Sequence, residues 1–130
     1  MKGTAAKHGY KVCSTCLKRK KVSEYNHLKK ARDGYNSMCR DCQKVSKIKS
    51  LYKTTLKEAK RLYKESLHGE CMICKLSAKE HIKRYGKPLY IDHCHLQGNV
   101  RGVLCNQCNT ALGQVRDNPD ILFKMIDYLS

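Results

Sequence analysis

A small α+β fold held together by bound metal is what this 130-residue chain predicts, and three observations carry the prediction. Four Cys-x-x-Cys pairs punctuate it: Cys13/Cys16, Cys39/Cys42, Cys71/Cys74 and Cys105/Cys108. A helical apolar period runs through residues 44–68, and short strand-like runs flank the last two pairs. Two thiolates two residues apart reach the same tetrahedral ion, and two such pairs close a four-cysteine zinc site. Eight cysteines therefore give two structural Zn²⁺ ions, with Cys94 left over. Modules below roughly 80 residues rarely bury enough apolar surface to stand without such staples.

Charge narrows the partners. Lys and Arg outnumber Asp and Glu by 27 to 11, a formal net charge of +16. Two four-thiolate zinc sites would still leave the chain strongly basic, and a polyanion is the natural partner. Residues 1–70 hold 19 of the basic side chains against 6 acidic ones, so this half is expected to supply most phosphate-binding charge. No apolar run approaches the ~18 residues of a membrane span, and the first residues lack a signal-peptide core. Thiols grouped for metal binding point to a reducing cytoplasm, with no membrane association.

Taken in order, residues 1–12 read as a flexible basic arm. A zinc ribbon or treble-clef-like finger follows, with residues 18–21 and Asp33-Gly34 as connections between short strands. Domain 1–43 comprises arm and ribbon. Residues 44–69 form a basic amphipathic linking helix: Val45, Ile48, Tyr52, Leu56, Ala59, Tyr63 and Leu67 recur at helical spacing, and Gly69 stops it. Its opposite face carries Lys53, Lys57, Lys60, Arg61 and Lys64, which read either as the solvated side of a helix joining two zinc modules or as a basic rod that contacts nucleic-acid backbone. An apolar stripe of this length also allows a homodimer. Domain 70–130 contains the second zinc module, a strand over residues 88–91, a turn at Gln97-Gly98-Asn99, a returning strand over 100–104 and a helix from Asn106 to about Val115. Asn118-Pro119 has the cap-then-proline signature of a final helix.

Thirty residues separate Cys74 from Cys105, more than a minimal finger needs. Within them lies Asp92-His93-Cys94-His95, and Asn109 follows the last cysteine of the four pairs directly. These are the residue types that phosphodiester hydrolysis requires. A histidine with a pKa near 6.5 serves as general base, and a carboxylate with an amide oxygen suits a hard cation such as Mg²⁺. One geometric condition applies. On a regular strand Asp92 and His93 point to opposite faces, so a shared site requires the strand to end or bulge between them.

The segment Asp92-His93-Cys94-His95, with Val100-Arg101-Gly102-Val103-Leu104-Cys105-Asn106-Gln107-Cys108-Asn109, resembles the recombination endonuclease VII family of phage nucleases, within the His-Me finger (HNH-like, ββα-metal) superfamily. The likeness extends back through Cys71-Met72-Ile73-Cys74 and forward through Leu112-Gly113 and Asp117-Asn118-Pro119, over roughly residues 50–130. Cys13/Cys16 and Cys39/Cys42, with Ser23-Glu24-Tyr25 and Asp33-Gly34, are similar to the zinc ribbon of some phage members. The resemblance implies a ββα-metal nuclease core that cleaves DNA. It further implies that Asp92 and Asn109 ligate a catalytic Mg²⁺ or Mn²⁺, that His93 is the base, and that His95 orients the site or contacts phosphate. Arg101 would support a phosphate, and the host cytoplasm would be the setting for a phage-encoded member.

Two positions depart from the pattern. Cys94 stands where some members carry an acidic residue, and Leu112 where some carry a carboxylate; fewer carboxylates imply weaker binding of the cation or a different ion. A second reading keeps the zincs and the charge but not the chemistry: a regulatory zinc-finger protein that binds DNA or RNA without cutting. Tyr25 and Tyr35 read more readily as packing residues than as base-stacking platforms, and are the first tyrosines expected at nucleic acid if any are.

Overall fold

The computed structural model describes residues 5–94 and 96–130. Among them, four strands and five α-helices follow in order: β1 (Tyr10–Val12), β2 (Arg19–Lys21), α1 (Arg40–Leu51), α2 (Leu56–His68), α3 (Ala78–Tyr85), β3 (Tyr90–His93), β4 (Val100–Leu104), α4 (Asn106–Gln114) and α5 (Pro119–Leu129). The α+β expectation holds. Two compact units divide the chain, one ending at Ala59 and the other beginning at Lys60, each with its own four-cysteine cluster.

In the first unit β1 and β2 form an antiparallel hairpin, with Tyr10 opposite Lys21 and Val12 opposite Arg19. Residues 18–21 are therefore partly strand rather than a connection. Nor is the region before Cys13 a loose arm where it is described. Besides the pairing of β1, the Ala6 N–H donates to Asp33 Oδ2 at 2.8 Å, and the Lys11 ammonium pairs with the same carboxylate. Cys13, Tyr25 and Cys39 make the core, with Tyr35 packed against it. Tyr25 is buried, and its hydroxyl donates to the Lys11 carbonyl at 2.8 Å, so it is a packing residue and not a platform for bases.

The single linking helix expected over residues 44–68 is two helices. Lys53 has a left-handed backbone (φ 49°), which no α-helix accommodates. Thr55 then restarts the helix, its hydroxyl accepting from the Glu58 N–H at 3.1 Å. Ala59 and Leu62 of α2 are fully buried, so this part of the apolar stripe is already covered within the chain. Lys57, Lys60, Arg61 and Lys64 of α2 are exposed, as is Lys53 in the break. Leu51 and Leu56 of the apolar stripe are exposed, and on α5 Phe123, Ile126, Tyr128 and Leu129 are open to solvent. No helix among the described residues is long and apolar enough to cross a membrane.

In the second unit β3 and β4 form an antiparallel hairpin, and α4 packs against β3. Cys71, Ala78, Leu89, Val103, Leu104 and Cys105 are its core, with Leu76, Ile91, Cys108 and Leu112 against them. Leu112 thus fills space where the family pattern sometimes places a carboxylate. Between knuckle and hairpin stands α3, which the periodicity did not announce. Ser77 caps it by accepting from the Glu80 N–H at 3.1 Å, and Gly86 (φ 70°) closes it in the left-handed conformation. Asn118 caps α5 as expected, accepting from the Asp120 N–H at 2.9 Å.

Candidate functional site

Each metal cluster is built by the same local device, a tight knuckle carrying two cysteines and a helix whose first turn carries the other two. In the first unit the Leu17 N–H donates to Cys13 O at 3.0 Å and Cys13 N–H to Lys18 O at 3.0 Å. In the second, Lys75 N–H donates to Cys71 O at 3.0 Å and Cys71 N–H to Leu76 O at 2.8 Å. Leu17 and Lys75 occupy the equivalent left-handed positions, with φ 60° and 66°. Cys39 caps α1 and Cys105 caps α4, which places Cys42 and Cys108 on the first helical turns. The two halves therefore share backbone geometry as well as ligand spacing.

The four sulfurs of each cluster lie within 4.8 Å of one another. A tetrahedral zinc with bonds of ~2.3 Å needs sulfurs ~3.8 Å apart, so both clusters fit Zn²⁺. Burial opposes ionisation of Cys13, but backbone N–H groups of Cys39, Cys16 and Thr15 outweigh it and lower the thiol to about 6. Cys71 is lowered to about 6 in the same way, against its burial, by the backbone N–H groups of Cys105, Cys74 and Ile73. Burial, then hydrogen bonds within the clusters, drives Cys42 upward and raises Cys108 to about 12. A bound dication would favour the thiolate form that zinc ligation needs. Lys20 Nζ lies 3.4 Å from Cys39 Sγ and brings its own positive charge to the first cluster.

The second cluster joins the Cys71–Cys74 knuckle to the first turn of α4. Asn109 follows Cys108 on α4, one helical turn past the cap, with its N–H donating to Cys105 O at 3.0 Å. Opposite, the hairpin register shifts between Asp92 and His93. Asp92 pairs with Gly102, but His93 pairs with Val100, and Arg101 is left as the extra residue of a β-bulge. The extra residue lies on β4, and β3 ends at His93. A bulge bends the strand that carries it and re-aims the side chain of its extra residue, here Arg101. Asp92 and His93 are both partly buried on the strand that α4 covers. His95 lies outside the described residues.

Arg101 grips Asp92 with both arms: Nε is 2.7 Å from Oδ2 and Nη2 is 3.0 Å from Oδ1. Nη2 also reaches Asp117 Oδ2 at 3.3 Å. The hydrogen bonds that Arg101 donates to Asp92, with a smaller contribution from Asp117, raise its pKa further. Asp92 and Asn109 offer the oxygen donors that suit a hard divalent cation, and the Asp92 carboxylate already binds a positive group in this structure. Among the described residues, the groups of three or more His, Cys, Asp and Glu able to hold a metal are the two four-cysteine clusters.

Two contributors escaped the sequence reading. Gly102 has φ 153°, and a Cβ there would lie 2.9 Å from Met72 Cγ, so the bulge and its packing both require glycine. His81 is fully buried beneath α4. Its Nε2 accepts from the Asn106 N–H at 3.0 Å, and its Nδ1 lies 2.7 Å from the Lys87 carbonyl. A solitary histidine carries no motif; the Ser77-x-x-Glu80 capping box and Gly86 were the signals that would have placed it on a helix.

Residues 45–130 match the model of the recombination endonuclease VII family. The gene 59 protein of Mycobacterium phage D29 is 40% identical over 85 residues, covering 65% of this chain and 48% of that protein. Its counterpart in Mycobacterium phage L5 is 35% identical over 85 residues, with the same shares of 65% and 48%. The chain thus spans about half the length of these curated relatives. A solved structure, the beta-beta-alpha-Me type II restriction endonuclease Hpy99I, aligns with 97% of this chain and 68% of its own at 27% identity, with a TM-score of 0.41. Because the family model covers well over half of the residues, the chain belongs to the recombination endonuclease VII family.

Proposed function

We propose that this chain is a metal-dependent endonuclease that hydrolyses phosphodiester bonds in DNA. The observation that carries the proposal is the register shift between Asp92 and His93 at the end of β3, on a hairpin backed by a helix that bears Asn109. The end of β3 at His93 supports a shared site for two residues that a continuing regular strand would separate. Asp92 and Asn109 would hold a divalent cation, Mg²⁺ or Mn²⁺. When bound, such an ion neutralises charge on the phosphoryl group and stabilises the leaving oxygen. His93 acts as general base, taking a proton from the attacking water through an imidazole nitrogen, a contribution of about 10²–10⁴ in rate. His95 assists by orienting the site or meeting phosphate.

Binding is assigned to Arg101 and to the exposed basic groups Lys53, Lys57, Lys60, Arg61 and Lys64. On α2 their spacing makes a stripe opposite the buried Ala59 and Leu62, which suits a phosphate backbone. Structural Zn²⁺ in the two cysteine clusters keeps both units folded. Eight clustered thiols suit a reducing compartment such as a host cytoplasm. Whether two copies act together on two strands is decided by a solution mass at micromolar concentration.

The second reading, a zinc-finger protein that binds DNA or RNA without cutting, is favoured by the basic stripe. A single experiment separates the two. Zinc-loaded protein is incubated with supercoiled, linear, branched, mismatched and single-stranded DNA in Mg²⁺ or Mn²⁺. Nicking or cleavage that EDTA stops supports the nuclease; binding without cleavage on every substrate supports the rival.

A further inference from the structure

Arg101 is placed by an irregularity. As the extra residue of the bulge it has no cross-strand partner, and its guanidinium turns to side chains instead. Both oxygens of Asp92 are engaged in its fork, and Asp117 takes a further contact at 3.3 Å. Fork-shaped guanidinium–carboxylate pairs are among the strongest charge-assisted contacts in proteins. The Asp92 side chain is only 12% exposed, against 37% for Arg101, so the carboxylate is the enclosed partner and the guanidinium the accessible one.

The same guanidinium borders open space. A cavity of about 440 Å³ is lined by Cys94, Leu96, Arg101, Gly113, Arg116 and Asp117. That volume is within the range of small-ligand sites, ~300–1,000 Å³, and accommodates a nucleotide unit. Two arginines and one carboxylate share its lining, an arrangement suited to an anion. Arg116 and Asp117 hold this wall with consecutive left-handed backbones, φ 56° and 54°, at the corner between α4 and α5.

We propose that Arg101 is a substrate-operated latch: in the free protein it occupies Asp92, and a DNA phosphodiester entering the adjoining cavity draws the guanidinium away, so that Asp92 becomes available to the divalent cation. This rests on the reading of Asp92 as a ligand of that cation. Arg101 is a positioning residue in this scheme. A cation approaching Asp92 in free protein must displace two charge-assisted hydrogen bonds, whereas one approaching with DNA present finds the guanidinium already committed to phosphate. Metal and DNA then bind with positive coupling, and linkage makes the enhancement reciprocal. The physical benefit is that the catalytic ion assembles only where there is a bond to cut.

The test measures Mn²⁺ binding by electron paramagnetic resonance in zinc-loaded protein carrying His93→Ala, which prevents turnover, with and without a 20-base-pair duplex. Zinc content and circular dichroism verify the fold of each variant. The duplex is expected to tighten Mn²⁺ binding about tenfold, within the ~5–150-fold span of typical couplings. Arg101→Lys retains the charge but not the fork, so it should bind Mn²⁺ about as tightly without DNA as the parent does with it. Arg101→Gln should show the same gain. Unchanged Mn²⁺ affinity in Arg101→Lys, or a gain confined to Arg101→Gln, would make the effect one of net charge and overturn the latch. Asp92→Asn separates this from the underlying assignment: Mn²⁺ bound equally well by that variant would refute Asp92 as a ligand, whereas lost binding there with no response to Arg101 would refute the latch alone.

Discussion

Nε2 of His81 accepts a hydrogen bond from the backbone N–H of Asn106 at 3.0 Å, at the first residue of the helix that carries Asn109. Nδ1 lies 2.7 Å from the Lys87 carbonyl and so donates to it, which makes the ring a neutral tautomer with both nitrogens used. One buried side chain thereby ties α3 and the approach to β3 to the start of α4. The helix end that carries Cys105 and Cys108 of the cysteine cluster is held by this ring as well.

Replacing that ring should be costly. His81→Ala leaves a buried N–H and a carbonyl without partners and opens a cavity, a loss of about 2–4 kcal/mol. Urea unfolding of the zinc-loaded protein measures it. A loss below about 1 kcal/mol, the worth of one ordinary hydrogen bond, would mean that the ring is dispensable to the frame.

Gly102 is expected to tolerate no side chain. Gly102→Ala combines a backbone conformation that L residues rarely adopt with a Cβ 2.9 Å from Met72 Cγ. A destabilisation of about 1–3 kcal/mol follows. Adding Met72→Ala should relieve the clash but not the backbone strain, so the double variant recovers only part of the loss in the same unfolding measurement.

Lys11 and Asp33 give the first unit a pH signature. The Lys11 ammonium, with the Ala6 and Tyr35 N–H groups, overcomes burial and holds the Asp33 carboxyl at about 2, below its ordinary 3.8. A carboxyl depressed by folding stabilises above its unfolded pKa, and the stabilisation is lost as pH falls through the folded value. Asp33→Asn should therefore cost about 1–2 kcal/mol at neutral pH. The difference from the parent protein narrows as pH falls from about 4 towards 2. Chemical unfolding of both proteins across that range checks it, and a gap that widens with acid would contradict the pairing.

The basic stripe of α2 should act through charge alone. Lys57→Ala, Lys60→Ala and Lys64→Ala together are expected to weaken binding to unrelated duplex sequences by similar factors. The slope of log affinity against log salt should fall by about one for each phosphate that no longer meets a lysine. Fluorescence anisotropy at several salt concentrations measures both. A sequence-dependent weakening would place these lysines at base edges instead of phosphates.

Much of this molecule was legible because its signals are local. Cysteine spacing identified both clusters, Asn118-Pro119 marked the start of α5, and the run from Val100 to Leu104 read correctly as a strand. The interruption of the linking helix stayed hidden because α1 and α2 each bear an apolar face, and the helical period passes across Lys53 almost unbroken. Thr55 and Glu58, a helix-start pair inside that stretch, were the competing signal. His81 and Tyr25 owe their roles to partners distant in sequence, Asn106 and Lys11, which no local pattern announces. For a shared site β3 had to end or bulge at Asp92 and His93, and the observed register shift leaves Arg101 as the extra residue on β4. A second consequence, the grip of Arg101 on Asp92 and Asp117, could come only from the coordinates.

The nuclease proposal requires that His93 perform chemistry and not merely support binding. DNA affinity and Mn²⁺-dependent cleavage, measured on the same preparations of the parent protein and His93→Ala, separate the two roles. Cleavage is expected to fall by at least about 10²-fold while affinity for the duplex stays within a factor of about two or three. Cleavage that survives the substitution, at unchanged zinc content, would overturn His93 as the general base.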